Sequence, residues 1–466
     1  MPGVPSGRGC DACRKQKKKC DLSTHPCPRC RRLDIPCIGL GQQRYKFVKA
    51  EGSSCSLVPA RPQTRTVLPQ THVFRSLSNE HTQRVSAFTD KINPLIGVKF
   101  NLAWTYGDYL VDVPARLGTN EALDKAADTL LAALQRYSSP AVEVTLLVLE
   151  KYTLALAALR MCLDDPVTAR SCETLAAIVL LLSCQQFLWK PTRVSTAHSE
   201  GAAQILRLRG RPGTCEPFER NLLLALRGVV LLQSLFSDNI IFTDREWLEV
   251  FETGQDQDTL SPEGRAIQCL TRAPNLMRRA KAALIAADAS ESHLMELRDE
   301  SQRLRDDLEP HLTTLRQRLG VANSPTVSND PNATVWLDLR HCHFLRSYSL
   351  GLAMAIIINE IVIAVTGDGD GDASPVLQES ELFSGEIVRL AHIASQYRPL
   401  GASSLGLCLI AAEIGASDPG TKSAARQLRL EYETDFHAPD ARTSTTTTTE
   451  LQLICGRCTT RARMLQ

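Results

Sequence analysis

From about residue 86 to residue 436, leucine and alanine recur every three or four positions, the spacing that lines one face of a helix. The segments 121–137, 141–163, 172–189, 195–209, 218–236, 275–287, 294–319, 336–365, 379–397 and 402–414 each predict a helix of this kind. Helix breakers stand between them: Pro140, Pro166, Pro191, Gly210 with Pro212, the glycine-rich run 367–371, and Pro399. No stretch shows a comparable strand-like alternation. The pattern therefore predicts a large all-α body of antiparallel helices, without a repeat sharp enough to name a solenoid.

The flanks read differently. Residues 50 to about 80 are rich in Ser, Pro, Thr and Gln, which predicts a flexible linker, and the Thr-rich tail after residue 436 predicts disorder. The expected layout is a disordered stretch at 1–7, a compact cysteine-rich unit at 8–40, a basic arm and linker at 41–85, the helical body at 86–436 and a disordered tail at 437–466.

Hydrophobic residues make up 43% of the chain and charged residues 22%, values typical of soluble globular proteins. The overall charge of +2 is uninformative until it is located. Residues 8–49 hold twelve cations against three anions, a net +9, which leaves −7 for the rest. A basic head on a mildly acidic body suits a polyanion-binding module joined to a second function. The opening MPGVPSGRGC has no apolar core of a secretory signal, so an intracellular protein is expected. The most apolar stretches, 175–188 and 350–365, fall short of the ~20 residues of a membrane span. The second also carries Asn359 and Glu360, so buried core helices are expected and no membrane partner.

An intracellular compartment keeps thiols reduced, so the sixteen cysteines call for metal binding or burial rather than disulfides. Six of them crowd into Cys10-x2-Cys13-x6-Cys20-x6-Cys27-x2-Cys30-x6-Cys37, two tandem copies of C-x2-C-x6-C. Zn²⁺ favours four tetrahedral thiolates, and a C-x2-C step delivers two from one turn of chain. Six thiolates satisfy two zinc ions if two of them bridge both metals. His25 is an alternative ligand in a mononuclear scheme. Cys455 and Cys458 form a second, lone CxxC pair, read as unpaired thiols in the tail.

Residues 10–37 resemble the fungal Zn(2)-Cys(6) binuclear cluster of transcription factors. The resemblance implies two zinc ions, with Cys10 and Cys27 bridging, Cys13 and Cys20 completing one site, and Cys30 and Cys37 the other. Asp21 after Cys20 matches the family's usual Cys-Asp, and Pro26 resembles the proline between its two halves. A unit of about thirty residues cannot build a hydrophobic core, so the metal must hold it together.

Between Cys13 and Cys20 run Arg14, Lys15, Gln16, Lys17, Lys18 and Lys19. Such a run is by itself a solvated face or a nuclear localisation signal. Pinned between zinc ligands, it is expected on a short rigid helix that enters the major groove of double-stranded DNA. By the family resemblance Lys17 reads bases of a CGG-type triplet, and Arg14, Lys15, Lys18 and Lys19 contact phosphates or support it. Gln16 departs from the cation frequent there, and Arg29, Arg31 and Arg32 in the second half are expected to support the first and touch the backbone.

No heptad run follows the cluster between 38 and 85. The leucines at 294, 297, 304, 308, 312 and 315 are interrupted by Ser301, Pro310 and His311 and read as an ordinary amphipathic helix. Monomeric binding and a homodimer through the helical body both stay open. The segment from His198 to Gly210 resembles the helical regulatory region of fungal-specific transcription factors. No nucleophile motif, Walker loop or dinucleotide glycine pattern appears, and the acidic run 367–372 lacks the glutamate of a calcium loop. The expected function is thus a nuclear, sequence-specific regulator of RNA polymerase II genes, pathway-specific as relatives in nutrient or secondary metabolism are, whose body meets the transcription machinery. It is not expected to be an enzyme. Rival readings are a helical metabolite-binding protein or enzyme tethered to DNA by the cluster, and a zinc store.

Overall fold

The computed structural model of the chain describes residues 9–39, 79–92, 97–138, 142–188, 196–209, 216–235, 237, 239–251, 261–285, 290–322, 331–366 and 373–436. The chain divides into two compact units, within 1–75 and 76–466. The first contains two short helices, α1 (Asp11–Lys15) and α2 (Pro28–Arg32). The second is largely helical, and no strand occurs among its described residues.

The body runs α3 (Glu80–Ile92), α4 (Leu102–Tyr106), α5 (Glu121–Ser138), α6 (Val142–Asp164), α7 (Cys172–Leu188), α8 (Thr196–Arg209), α9 (Pro217–Ser234) and α10 (Asp244–Phe251). It continues with α11 (Pro262–Leu270), α12 (Ala273–Ile285), α13 (Glu291–Ala322), α14 (Pro331–Thr366), α15 (Ala373–Ala394), α16 (Leu405–Gly415) and α17 (Pro419–Glu433). Local chemistry sets many of the starts. Pro217, Pro262 and Pro419 occupy first-turn positions that need no N–H. Asn101, Ser261 and Asp418 accept hydrogen bonds from Trp104, Gly264 and Thr421 backbone N–H groups, satisfying donors that a helix start leaves open.

Two local readings are corrected. The body begins by Glu80, inside the stretch assigned to the linker. α3 is mostly polar, but Asn79 caps it by accepting from the Thr82 N–H at 2.8 Å. Arg84 then ties it to Asp128 at 2.7 Å, while Phe88 and Ile92 are buried. Secondly, α4, α10, α11 and α17 fall outside the segments that periodicity predicts, being short or strongly polar. As the 294–319 pattern predicts, α13 continues through Pro310, which interrupts the leucine heptad but not the helix. Pro310 and Asp306 are both exposed, so the carbonyl that the proline leaves unbonded is on the solvent side. On the opposite side Leu304, Leu308, Leu312, Leu315 and Leu319 are buried in the core that α13 shares with α14.

Two hydrophobic cores organise the body. One gathers α3 to α10 around Tyr109, Leu123, Leu180, Leu222 and the stacked pair Phe242 and Trp247, ring centroids 4.5 Å apart. The other gathers α11 to α17 around Leu304, Ile356, Leu390 and Leu409. Gly415 lets α16 close onto α14, since a Cβ there would lie 2.6 Å from Ile356 Cγ2. Residues 333–366 are long and apolar enough to cross a membrane by length and composition, yet 78% of their most apolar window is buried inside the fold. At its centre Asn359 is fully buried and donates to Glu379 Oε2 at 2.9 Å and to Ser380 Oγ at 3.2 Å.

Arg429 on α17 is buried to 1% exposure and forks onto Glu413 of α16, with Nε and Nη2 at 2.9 and 2.8 Å from Oε2. Removing one member of such a pair strands the other charge away from water. Arg429→Ala is expected to cost about 3–5 kcal/mol in denaturant unfolding of the body. Arg245→Ala, which breaks an exposed pair with Glu249, should cost no more than about 0.5 kcal/mol.

Candidate metal centre and nucleic-acid interface

The two cysteine repeats fold into two copies of one frame, offset by seventeen residues. Cys10 and Cys27 stand at the N-caps of α1 and α2 in extended conformation. The Cys10 N–H donates to Cys20 Sγ at 3.4 Å, and the Cys27 N–H donates to Cys37 Sγ at 3.3 Å. Each helix ends in the same Schellman turn. In the first, Lys18 N–H donates to Cys13 O at 2.9 Å and Lys17 N–H to Arg14 O at 3.0 Å; in the second, Ile35 N–H donates to Cys30 O at 3.1 Å and Asp34 N–H to Arg31 O at 3.4 Å. Lys17 and Asp34 therefore adopt left-handed backbones, φ 52° and 48°. The frame closes where Asp11 N–H donates to Ile38 O at 3.0 Å.

This geometry brings all six cysteines together. Cys10, Cys13, Cys20 and Cys27 form one group and Cys10, Cys27, Cys30 and Cys37 another, with the sulfurs of each within 4.8 Å of one another. The groups share Cys10 and Cys27. A Zn–S bond of ~2.3 Å sets a tetrahedral edge of about 3.8 Å. Cys10 and Cys27 sulfurs are 3.9 Å apart, Cys10 and Cys30 3.6 Å, and Cys13 and Cys27 3.8 Å. The donor set thus fits two thiolate-bound metal ions with a common edge. His25 is exposed and belongs to neither group.

Electrostatics single out the shared pair. Burial pushes the Cys10 thiol up, but the Cys13 N–H and the neighbouring thiols that donate to its sulfur outweigh this and bring it to about 6. The Cys30 N–H, donating to Cys27, likewise holds that thiol below its ordinary value. Cys20 is pushed up to about 12 by burial, and burial also raises Cys13 and Cys30. The two lowered thiols are the ones common to both groups.

That arrangement has a known counterpart. Residues 8–46 match the fungal Zn(2)-Cys(6) binuclear cluster domain. The domain binds two zinc ions, and it marks the chain as carrying the zinc- and DNA-binding module of fungal transcription regulators. No curated protein and no solved structure matches. The match ends at Lys46, six residues past the boundary drawn at 40 from the cysteine spacing.

The cations of the Zn(2)-Cys(6) module are placed differently from the sequence expectation. Arg14 and Lys15 lie in the last turn of α1, but Gln16 caps it and Lys17, Lys18 and Lys19 follow the helix. Five residues of helix are all that fit before the chain must turn back to bring Cys20 to the sulfur cluster. All five cations are exposed. Lys17 is held by the left-handed turn rather than by a helix.

Arg29, expected to support the first half, contacts it, and Gly9 takes a role that the spacing did not reveal. Arg29 of α2 reaches across to the first half, with Nη2 donating to Gln16 Oε1 at 2.6 Å and Nη1 lying 3.9 Å from Cys13 Sγ. Gly9 gives room for the chain crossing, since a Cβ there would lie 3.0 Å from Cys20 Cβ. The seventeen-residue offset, applied to every position and not to cysteines alone, would have exposed the pairing of Lys17 with Asp34. Arg8, the arm beyond residue 39, Cys455, Cys458 and the side chain of His198 lie outside the described residues.

A left-handed backbone costs a side-chain-bearing residue about 1–2 kcal/mol that glycine avoids. Lys17→Gly is expected to keep zinc at least as well as the natural chain in a graded chelator titration. Gly9→Ala should release zinc at lower chelator concentration.

Proposed function

We propose that the chain is a sequence-specific regulator of RNA polymerase II genes that reads a CGG-type triplet through the first half of its zinc cluster. Cys10 and Cys27 bridge the two metals, Cys13 and Cys20 complete one, and Cys30 and Cys37 complete the other. The zinc ions supply cross-links in place of a core, and the residues between the ligands do the recognition. Lys17 donates to guanine O6 and N7, while Arg14, Lys15, Lys18 and Lys19 neutralise phosphates.

The observation that carries this reading is the pinned, exposed Lys17, set in a Schellman turn between two sulfur ligands and flanked on both sides by exposed cations. The equivalent turn of the second half presents Asp34, which a phosphate backbone repels. The first half is thus the one that faces the duplex. The net +9 of residues 8–49 supplies the general attraction, and its counterion release makes binding fall with salt.

The helical body is the regulatory region of this protein rather than an enzyme, and the protein acts in the nucleus on a pathway-specific set of genes. It resembles the fungal-specific regulatory region at residues 198–210, and its described helices pack around two apolar cores.

Native mass spectrometry is expected to count two zinc ions per chain, and chelation to abolish retention of a labelled CGG duplex. Lys17→Ala should lose about 1–3 kcal/mol of discrimination between CGG and scrambled duplexes, whereas Lys19→Ala should weaken both alike and reduce the salt slope by about one. Equal loss on both duplexes for Lys17→Ala overturns its assignment, and a count of one zinc overturns the bridged scheme.

A further inference from the structure

The link between Arg29 and Gln16 breaks the symmetry of the zinc module. The hydrogen bonds that return each half to its sulfurs occur in both halves. This one has no counterpart, because the matching positions hold Ala12 and Leu33. Ala12 stands in α1 where Arg29 stands in α2, and Leu33 caps α2 as Gln16 caps α1. The second half closes around its sulfurs without such a link, so metal geometry does not require one. What the link fixes is the polarity of Gln16. A glutamine amide carries both an acceptor and a donor, whereas a guanidinium carries only donors. With Nη2 at 2.6 Å from Oε1, Gln16 turns its carbonyl to Arg29 and its NH2 group away. Arg29 is itself half-buried, with Nη1 3.9 Å from Cys13 Sγ, so the carbonyl is tied to a fixed post. Gln16 is exposed, and no described residue accepts from its NH2 group. A cation on the carbonyl polarises the amide and strengthens that donor.

We propose that Gln16 is a DNA contact of the first half and that Arg29 is its positioning residue, presenting the amide as a donor to a hydrogen-bond acceptor on the duplex. This rests on the reading that the first half faces DNA, since Gln16 directly precedes Lys17. The acceptor is a phosphate oxygen or guanine N7, and both take a lone N–H donor. A glutamine with both ends free pairs with adenine through N6 and N7. The hold of Arg29 on Oε1 competes with the adenine N6 donor for that oxygen, and so turns Gln16 toward acceptors. The place where the recognition run lacks a cation is thereby filled by a neutral donor whose direction is set from the other half of the module.

Each test substitution copies the other half of the module. Arg29→Ala installs the residue type found at Ala12, and Gln16→Leu the one found at Leu33, so both full-length variants should keep two zinc ions in native mass spectrometry. Binding is measured on the duplex that the natural chain selects from a randomised library. Selection of another triplet therefore refutes the CGG assignment and leaves this one measurable, while a chain that selects no duplex overturns both. Each single variant should bind the selected duplex about tenfold more weakly, and the double variant no more than about twofold more weakly than either. Acceptors are then removed from the duplex one at a time, with 7-deazaguanine for N7 and a methylphosphonate for a phosphate oxygen. One such change should weaken the natural chain about tenfold and leave Gln16→Leu and Arg29→Ala unaffected, and its kind names the acceptor. A link that only braced the module would single out no acceptor. The proposal is overturned by single variants that bind like the natural chain, or by a double variant about a hundredfold weaker, which makes the two residues independent. It is also overturned if the natural chain and Gln16→Leu respond alike to every modified duplex, or if Arg29→Ala loses zinc, which returns the link to the metal frame.

Discussion

Six sulfurs packed at about the edge length of a zinc–thiolate tetrahedron, two of them common to both groups, are the constraint on which the N-terminal module rests. A unit this small hides too little apolar surface to offset the entropy of ordering its chain. The residues buried there are chiefly the cysteines themselves, with Ala12 and Ile35 packed against them. Every backbone feature of the module serves to deliver sulfur to the cluster. The N-cap positions of Cys10 and Cys27 aim two helix starts at it, the Schellman turns reverse the chain, and Gly9 allows the crossing strand to pass Cys20.

The two halves show how one frame serves two purposes. Their hydrogen bonds correspond almost one for one, so the backbone cannot tell them apart. What differs is the side chain set on each turn: a lysine flanked by cations in the first, an aspartate in the second. Arg29, donating to Gln16, links the halves at the place where the recognition run lacks a cation. The position of each lysine follows from metal geometry, and its identity is free to suit the ligand.

Much of this was legible in the sequence, because cysteine spacing is a direct record of metal geometry and leucine spacing a direct record of helix faces. The zinc module and the helical character of the body follow from those two periods. The rest was hidden for identifiable reasons. α3 has four apolar positions in thirteen, and Arg84 ties it to acids forty residues away. Lys17 looked helical because the length of α1 is fixed by where Cys20 must return. In α6 the apolar residues surround much of the helix, so periodicity alone could not separate the face that meets the core from the one that meets water.

The common edge of the two sulfur groups also sets how the module fails. Damage to Cys20 or Cys37, by oxidation or substitution, subtracts a ligand from one quartet and leaves the other with its full four. Damage to Cys10 or Cys27 leaves three in each, so a single lesion degrades both halves together. Economy of ligands therefore comes with a lack of redundancy, concentrated in the two sulfurs whose surroundings already favour ionisation.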